Sequence, residues 1–384
     1  MRFKEPQIVF MNPELYASFP SVAAITPTKV VVAFREAGEK SVERAKAGNT
    51  CHHDRDSRIA IIFSDDGGKT WIPSSKKIVY SGDYAVNDPA ISVLKCGDLL
   101  LRFTALDVRP SNERAQLQGR FLSHRPELAQ ISATVGDFWM RSKDDGATWT
   151  EPRPVRVEGL AELLSRDPIT ELEDGTWILP CYESSPFRTE RCFLIRSFDE
   201  GKNWGEAASI ADDPNGIVSS ARGIGYNECS VVSLDSSQML AMIRADASYY
   251  SEGEFIPVGG VGELHSSHSE NAGMSWSAPQ PTGIWGQPAH LLKLANGSIL
   301  CTYGSRKSPY SVRVVLSKDK GKTWAPKAGL PLREGAKTWD MGYPASAELD
   351  DGNIITVYYW NDNDGCRYIE SMAWNLKDLG RNAY

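Results

Sequence analysis

The chain has 384 residues and a formal net charge of −7, with 41% hydrophobic and 24% charged residues. That is the composition of a folded globular protein, and its interspersed acids and bases leave no basic patch of the kind nucleic acid requires. The seven cysteines, Cys51, Cys96, Cys181, Cys192, Cys229, Cys301 and Cys366, are scattered with no C-x-x-C pair, which argues against a zinc site and against a full disulfide framework.

In chain order, the N-terminus MRFKEPQIVF lacks a charged-then-apolar leader, and no apolar run is long enough to span a membrane. The expectation is a cytoplasmic protein with no membrane partner; a secreted or periplasmic protein read without its leader has the same sequence. Strand-like runs then dominate: KVVVAF, RIAIIF, DLLLRF, TWILPCY, SILCTY, VRVVL and NIITVYY. The 32 glycines and 22 prolines punctuate them. Helical periodicity is scarce, and LAELLSR near 160–166 is its best short candidate. No linker or low-complexity segment divides the chain, so residues 1–384 are expected to form a single catalytic domain.

One turn pattern, S-x-D-x-G-x-x-W, recurs five times, at Ser64–Trp71, Ser142–Trp149, Ser197–Trp204, Ser269–Trp276 (with Asn271 for Asp) and Ser317–Trp324. Each copy follows a strand-like run and precedes another extended segment. The Asp or Asn can accept bonds from N–H groups of its own turn, Gly supplies a positive φ, and Trp folds back as an apolar lid. The spacings of 78, 55, 72 and 48 residues suit one four-stranded unit each. At about 60 residues per unit the chain makes six, the sixth without the turn pattern, and the predicted architecture is an all-β, six-bladed propeller.

These repeats resemble the Asp boxes of the sialidase (neuraminidase) superfamily along essentially the whole chain. The resemblance implies a retaining glycosidase with a Tyr–Glu nucleophile pair, an Asp acid/base and three arginines around a substrate carboxylate. A tyrosine nucleophile suits a substrate whose own carboxylate would repel an anionic one. In YPASAELDDGNIITVYYWND, Tyr343 takes the nucleophile position at a strand entrance. In NECSVVSLDSSQMLAMIR, Glu228 takes the base position and Arg244 that of a carboxylate arginine. In CHHDRDSRIAIIF, Asp54 fits the acid/base and Asp56 is its rival; His52 and His53 read as surface residues first. In CTYGSRKSPYSVRVVLS, Arg306 fits another carboxylate arginine, with Arg313 the alternative.

The chain departs from the family where an Arg-Ile-Pro motif is expected. Ser18-Phe19-Pro20 stands there, and Tyr359 replaces the glutamate that steadies the missing arginine. Losing both is self-consistent, since losing only the arginine would strand a buried charge. Arg35 is a candidate to restore part of the lost positive charge. The expected partner is a glycan or glycoside ending in an acidic sugar, a sialic acid or a relative of one. No cofactor or catalytic metal is expected; a structural calcium and the oligomeric state stay open. Among the aromatics, Tyr303, Tyr310, Trp339 and Tyr358 are candidates for stacking on a sugar ring. Two other readings fit the same residues. One is a polysaccharide lyase acting on a uronate through His52, His53, His290 or Tyr343. The other is a carbohydrate-binding propeller without catalysis, in which Glu228 and Tyr343 would lie beyond hydrogen-bond reach.

Overall fold

The computed structural model describes residues 5–47, 52–117, 120–125, 129–160, 162–185, 188–214, 223–251, 254–260, 262–350, 352–362 and 365–379; Cys51 lies outside them. Six antiparallel sheets form the six blades of a β-propeller. The innermost strands are Tyr16–Ala24 (blade 1), Ala85–Val93 (blade 2), the short Leu163–Leu164 and Thr170–Glu171 (blade 3), Gly223–Ser233 (blade 4), Ala289–Lys293 (blade 5) and Gly342–Glu348 (blade 6). Chain order runs outward in each blade, with one exception. The outer strand of blade 6 is the N-terminal Gln7–Phe10, paired to Arg367–Asn375, so the first and last strands close the ring.

The packing explains why so many strands read as continuous apolar runs. Each blade is covered on both faces by its neighbours, so alternate residues are both buried. In the DLLLRF strand, Leu99, Leu101 and Phe103 join the cluster against blade 1, while Leu100 joins the cluster against blade 3. Six such clusters fill the six gaps between blades. Tyr303 and Tyr358 belong to them, at 1% and 0% exposure, so neither can stack on a sugar. The segment LAELLSR is not helical where it is described: Leu163 and Leu164 pair with Glu183 and Tyr182. Leu163 joins the core between blades 2 and 3, a tertiary demand that overrides local propensity. The α-helix among the described residues is instead Glu39–Lys46, whose Val42 and Ala45 pack on Tyr16.

Each Asp box is the hairpin between the third and fourth strands of its blade. In blade 1, Ser64 Oγ donates to Asp66 Oδ1 (2.9 Å) and accepts from Gly68 N (2.9 Å), while Thr70 donates its N–H and hydroxyl to the two Asp66 oxygens (2.8 and 2.6 Å). The other four repeat the pattern, with Asn271 doing the work of an aspartate through Ser275 N (2.9 Å). Blade 6 has no box because it has no such hairpin: its fourth strand arrives from the far end of the chain. The box glycines also touch the preceding blade. At Gly273, with φ at +82°, a Cβ would come within 2.5 Å of Leu194 in blade 3.

Candidate active site

The innermost strands converge on the axis, and there they break register. Pairing slips between Ser18 and Ser21, Asn87 and Ala90, Asn227 and Ser230, and Gly342 and Ala345. Inside each slip sits one non-glycine residue in the left-handed region: Phe19 (φ 53°), Asp88 (44°), Glu228 (42°) and Tyr343 (49°). A bulge of this kind re-aims a side chain, at a backbone cost of about 1–3 kcal/mol that persists where the fold over-determines it. Phe19, Asp88 and Tyr343 line one cleft together with Arg166 and His290.

Tyr343 and Glu228, from blades 6 and 4, meet there. The phenol donates to Glu228 Oε1 at 2.5 Å, and Arg244 Nη1 pairs with Glu228 Oε2 at 2.7 Å. Burial, then the charge of Glu228, push the Tyr343 phenol well above its ordinary range, so at rest it keeps its proton. Burial alone would raise Glu228 as well. The charge of Arg244, the Tyr343 and Arg244 hydrogen bonds and the charge of Arg306 outweigh it and hold the carboxylate below its usual value. A buried phenol hydrogen-bonded to an ionised carboxylate is a nucleophile with its base in place.

The arginines take different places. Arg244 is spent on Glu228 and, through Nε, on Asp246 at 2.8 Å. Arg306 lies over both Tyr343 and the half-exposed Trp339, 5.6 and 5.4 Å from the ring centroids, and its Nε and Nη2 have no hydrogen-bond partner among the described residues. Arg313 lies further out on its strand, reaching Ser311 Oγ at 3.5 Å and lining a separate pocket with Trp285 and the partly buried strand around it. Arg35 is 0% exposed and bonded to Val86 O (2.9 Å) and Asp54 (3.0 Å), which keeps it inside the wall. Asp54 is 3% exposed, and its two oxygens face Arg35 and Arg44. Asp56 accepts from Gly38 N at 3.0 Å.

The lost Arg–Glu pair is replaced by a hub at Asp340. Its carboxylate accepts from Tyr16 (2.8 Å), Tyr359 (2.9 Å) and Arg367 (3.0 Å) and lies 3.4 Å from His52 Nε2. Burial opposes its charge, but the bond and charge of His52, with Arg367 and Tyr16, hold it well below the usual carboxylate range. Tyr359 therefore turns to a new acid three residues before the nucleophile. His53 lies 3.0 Å from Ser132 Oγ.

Two cleft residues escape a reading of motifs. Arg166 lies 5.4 Å from the Tyr343 ring centroid, donates to Pro344 O at 2.7 Å, reaches Asp167 only at 3.9 Å, and has a buried Nε without a hydrogen-bond partner among the described residues. Asp88 is the other. A signal for it exists in the sequence: Phe19-Pro20, Asp88-Pro89, Asp167-Pro168, Gln287-Pro288 and Tyr343-Pro344 are one dipeptide repeated at the axial end of five blades. Among the described residues no group of three or more His, Cys, Asp or Glu side chains is arranged to hold a metal.

Residues 46–356 match the BNR repeat-like domain family. A sialidase of Bacteroides fragilis is 22% identical over 343 residues, covering 84% of this chain; the chain spans 56% of that protein's length. Among solved structures, a protein of unknown function from Dyadobacter fermentans superposes with a TM-score of 0.81 at 24% identity, covering 97% of this chain and 98% of the other. NanB sialidase of Streptococcus pneumoniae superposes with a TM-score of 0.66 at 13% identity, covering 97% and 71%. The chain belongs to the BNR repeat-like family of the sialidase superfamily.

Proposed function

We propose that the protein is a retaining exo-glycosidase of sialidase type that removes a terminal acidic sugar. The observation that carries this reading is the 2.5 Å hydrogen bond between Tyr343 and Glu228 at the floor of the axial cleft. Glu228 withdraws the phenolic proton as the Tyr343 oxygen attacks the anomeric carbon, and water later hydrolyses the glycosyl-tyrosine. Arg306 and Arg166 flank the nucleophile with guanidinium nitrogens that lack hydrogen-bond partners among the described residues, which favours an anionic sugar over a neutral one. The sialidase names of the Bacteroides and Streptococcus relatives point the same way. The reaction also needs a proton donor, and Asp54 is engaged in ion pairs with Arg35 and Arg44.

The test is a hydrolysis screen with chromogenic sialosides, uronides and neutral glycosides, with Tyr343→Phe as control. The expectation is cleavage of an acidic glycoside that the variant abolishes; a wild type inert on all three, or a fully active variant, defeats the reading. One observation favours a lyase as the second reading: Tyr343 and His290 line one cleft with Arg166, whose guanidinium is placed to neutralise a uronate carboxylate. A lyase product would absorb in the ultraviolet as an unsaturated uronate.

A further inference from the structure

We propose that Asp88, on the axial bulge of blade 2, is the residue that protonates the leaving oxygen and then deprotonates the attacking water. The proposal rests on the hydrolytic reading above and supplies the donor that reading lacks.

Outside the Asp-box turns, six described non-glycine residues have a positive φ, and four of them are the axial bulge residues. Of those four, Phe19 is a wall, with its ring edge against Tyr343 at 4.7 Å. Glu228 and Tyr343 are the base and the nucleophile. Asp88 shares their backbone geometry and lines the cleft with Tyr343, yet no structural bond accounts for it: its Oδ1 is buried with no hydrogen-bond partner among the described residues. Strain retained at a position with no structural bond to justify it points to function.

Two carboxyl groups at this site divide the labour. Where one site pushes two acids in opposite directions, the raised one is the acid and the lowered one the base. Glu228 is held down by Arg244 and its hydrogen bonds against the effect of burial. Asp88 is pushed up to about 7 by burial and then by the charge of Glu228, with Asp137 adding to the rise and Arg102 and Arg166 opposing it. The neutral His290 and the protonated Tyr343 complete the groups that line its cleft. The other candidates fail on position or protonation. Asp54 faces Arg35 and Arg44, His290 sheds its proton far below neutrality, and burial lowers His52.

The step balances. The Asp88 proton passes to the glycosidic oxygen as its bond to the anomeric carbon breaks. The Tyr343 oxygen bonds to that carbon, and the phenolic proton passes to Glu228. In the second half, the Asp88 carboxylate takes a proton from water, whose oxygen bonds to the anomeric carbon. The bond to Tyr343 breaks, and Glu228 returns its proton to the phenolate. One water is consumed, and each side chain ends as it began.

The test compares wild type, Asp88→Asn and Asp54→Asn on two glycosides of the sugar that the wild type cleaves, one with a nitrophenyl and one with an alkyl leaving group. Asparagine tolerates the left-handed conformation, and the ratio between the two substrates is internal to each variant, so a partly misfolded sample does not distort it. For Asp88→Asn the expected loss is about 10²–10⁴-fold on the alkyl glycoside and within about tenfold on the nitrophenyl one, whose leaving group needs no proton. The fall in wild-type alkyl cleavage above about pH 7 should vanish as well. Asp54→Asn should lose equally on both. Equal losses for Asp88→Asn, or a leaving-group split for Asp54→Asn, overturn the proposal. The two failures separate: a wild type that cleaves no glycoside sinks the hydrolytic reading and the donor role with it, whereas an active wild type with equal losses in Asp88→Asn sinks the donor role alone.

Discussion

The rim and the axis of this propeller are built on opposite principles. At the rim, five hairpins carry the same Ser, Gly and Trp with an Asp or Asn, the same serine-to-glycine hydrogen bond and a glycine at nearly the same φ, between 76° and 84°. At the axis, the four bulges hold Phe19, Asp88, Glu228 and Tyr343, no two of them the same residue. What repeats holds the blades together. What fails to repeat, on a bulge that repeats, is where chemistry is placed. Changes at the rim should therefore cost stability and leave turnover alone, and changes at the axis should do the reverse.

The largest expected effect is at the axis. Tyr343→Phe removes the nucleophile and keeps the ring against Phe19, so turnover should fall by about a thousandfold or more while the melting temperature moves by only a few degrees. A variant that melts much earlier would mean that Tyr343 is mainly structural. Next, Arg306→Gln should weaken kcat/KM on an acidic glycoside by about 10–100-fold, as expected for one lost charge-assisted bond. The methyl ester of the same glycoside should be cleaved almost as before. Equal losses on acid and ester would remove Arg306 from recognition of the charge.

At the rim, Gly273→Ala forces a Cβ into Leu194 of the preceding blade at a positive φ. The expected loss is about 2–4 kcal/mol of stability in denaturant melts, with kcat/KM of the folded protein unchanged. The smallest effect concerns acid. Hydrogen bonds from the Thr148 side chain and backbone lower the Asp144 carboxyl to about 2, and bonds from the Asn203 backbone and side chain lower Asp199 to about 2 as well. A carboxyl depressed in the folded state stabilises it above the unfolded value and loses that contribution as pH falls through the folded one. The window is therefore roughly pH 4 down to 2. Asn271 shows that an amide keeps the turn intact. Asp144→Asn combined with Asp199→Asn should be nearly neutral at pH 7 and should flatten the dependence of stability on pH in that window; an unchanged slope would contradict the assignment.

The same contrast governs what could be read from sequence. The boxes were legible because each is a local solution to a turn, with donor, acceptor and glycine inside eight residues. The blade count followed from them, and so did the missing sixth box, although its reason, a strand supplied by Gln7–Phe10, lies at the opposite end of the chain. Tyr343, Glu228 and Arg244 stood in motifs beside recognisable strands. Asp88 and Arg166 did not, because what aims them into the cleft is a register slip and the prop of Arg102 on Ser165 O and Asp167 O, both long-range. Arg35 showed the limit most plainly. The strand VVAFREAG announces a buried run, but nothing local says that its arginine turns to Asp54 and Val86 rather than to the cleft.

The central claim is that Tyr343 attacks the anomeric carbon with Glu228 as its base. It is tested most directly by trapping the intermediate with a fluorinated acidic glycoside, whose fluorine slows hydrolysis of the glycosyl-enzyme, followed by intact mass and peptide mapping. The account predicts one sugar per chain, attached to the peptide containing Tyr343 and absent from Tyr343→Phe. A sugar carried on a carboxylate, or cleavage of the reagent with no covalent species while Tyr343→Phe remains active, would contradict it.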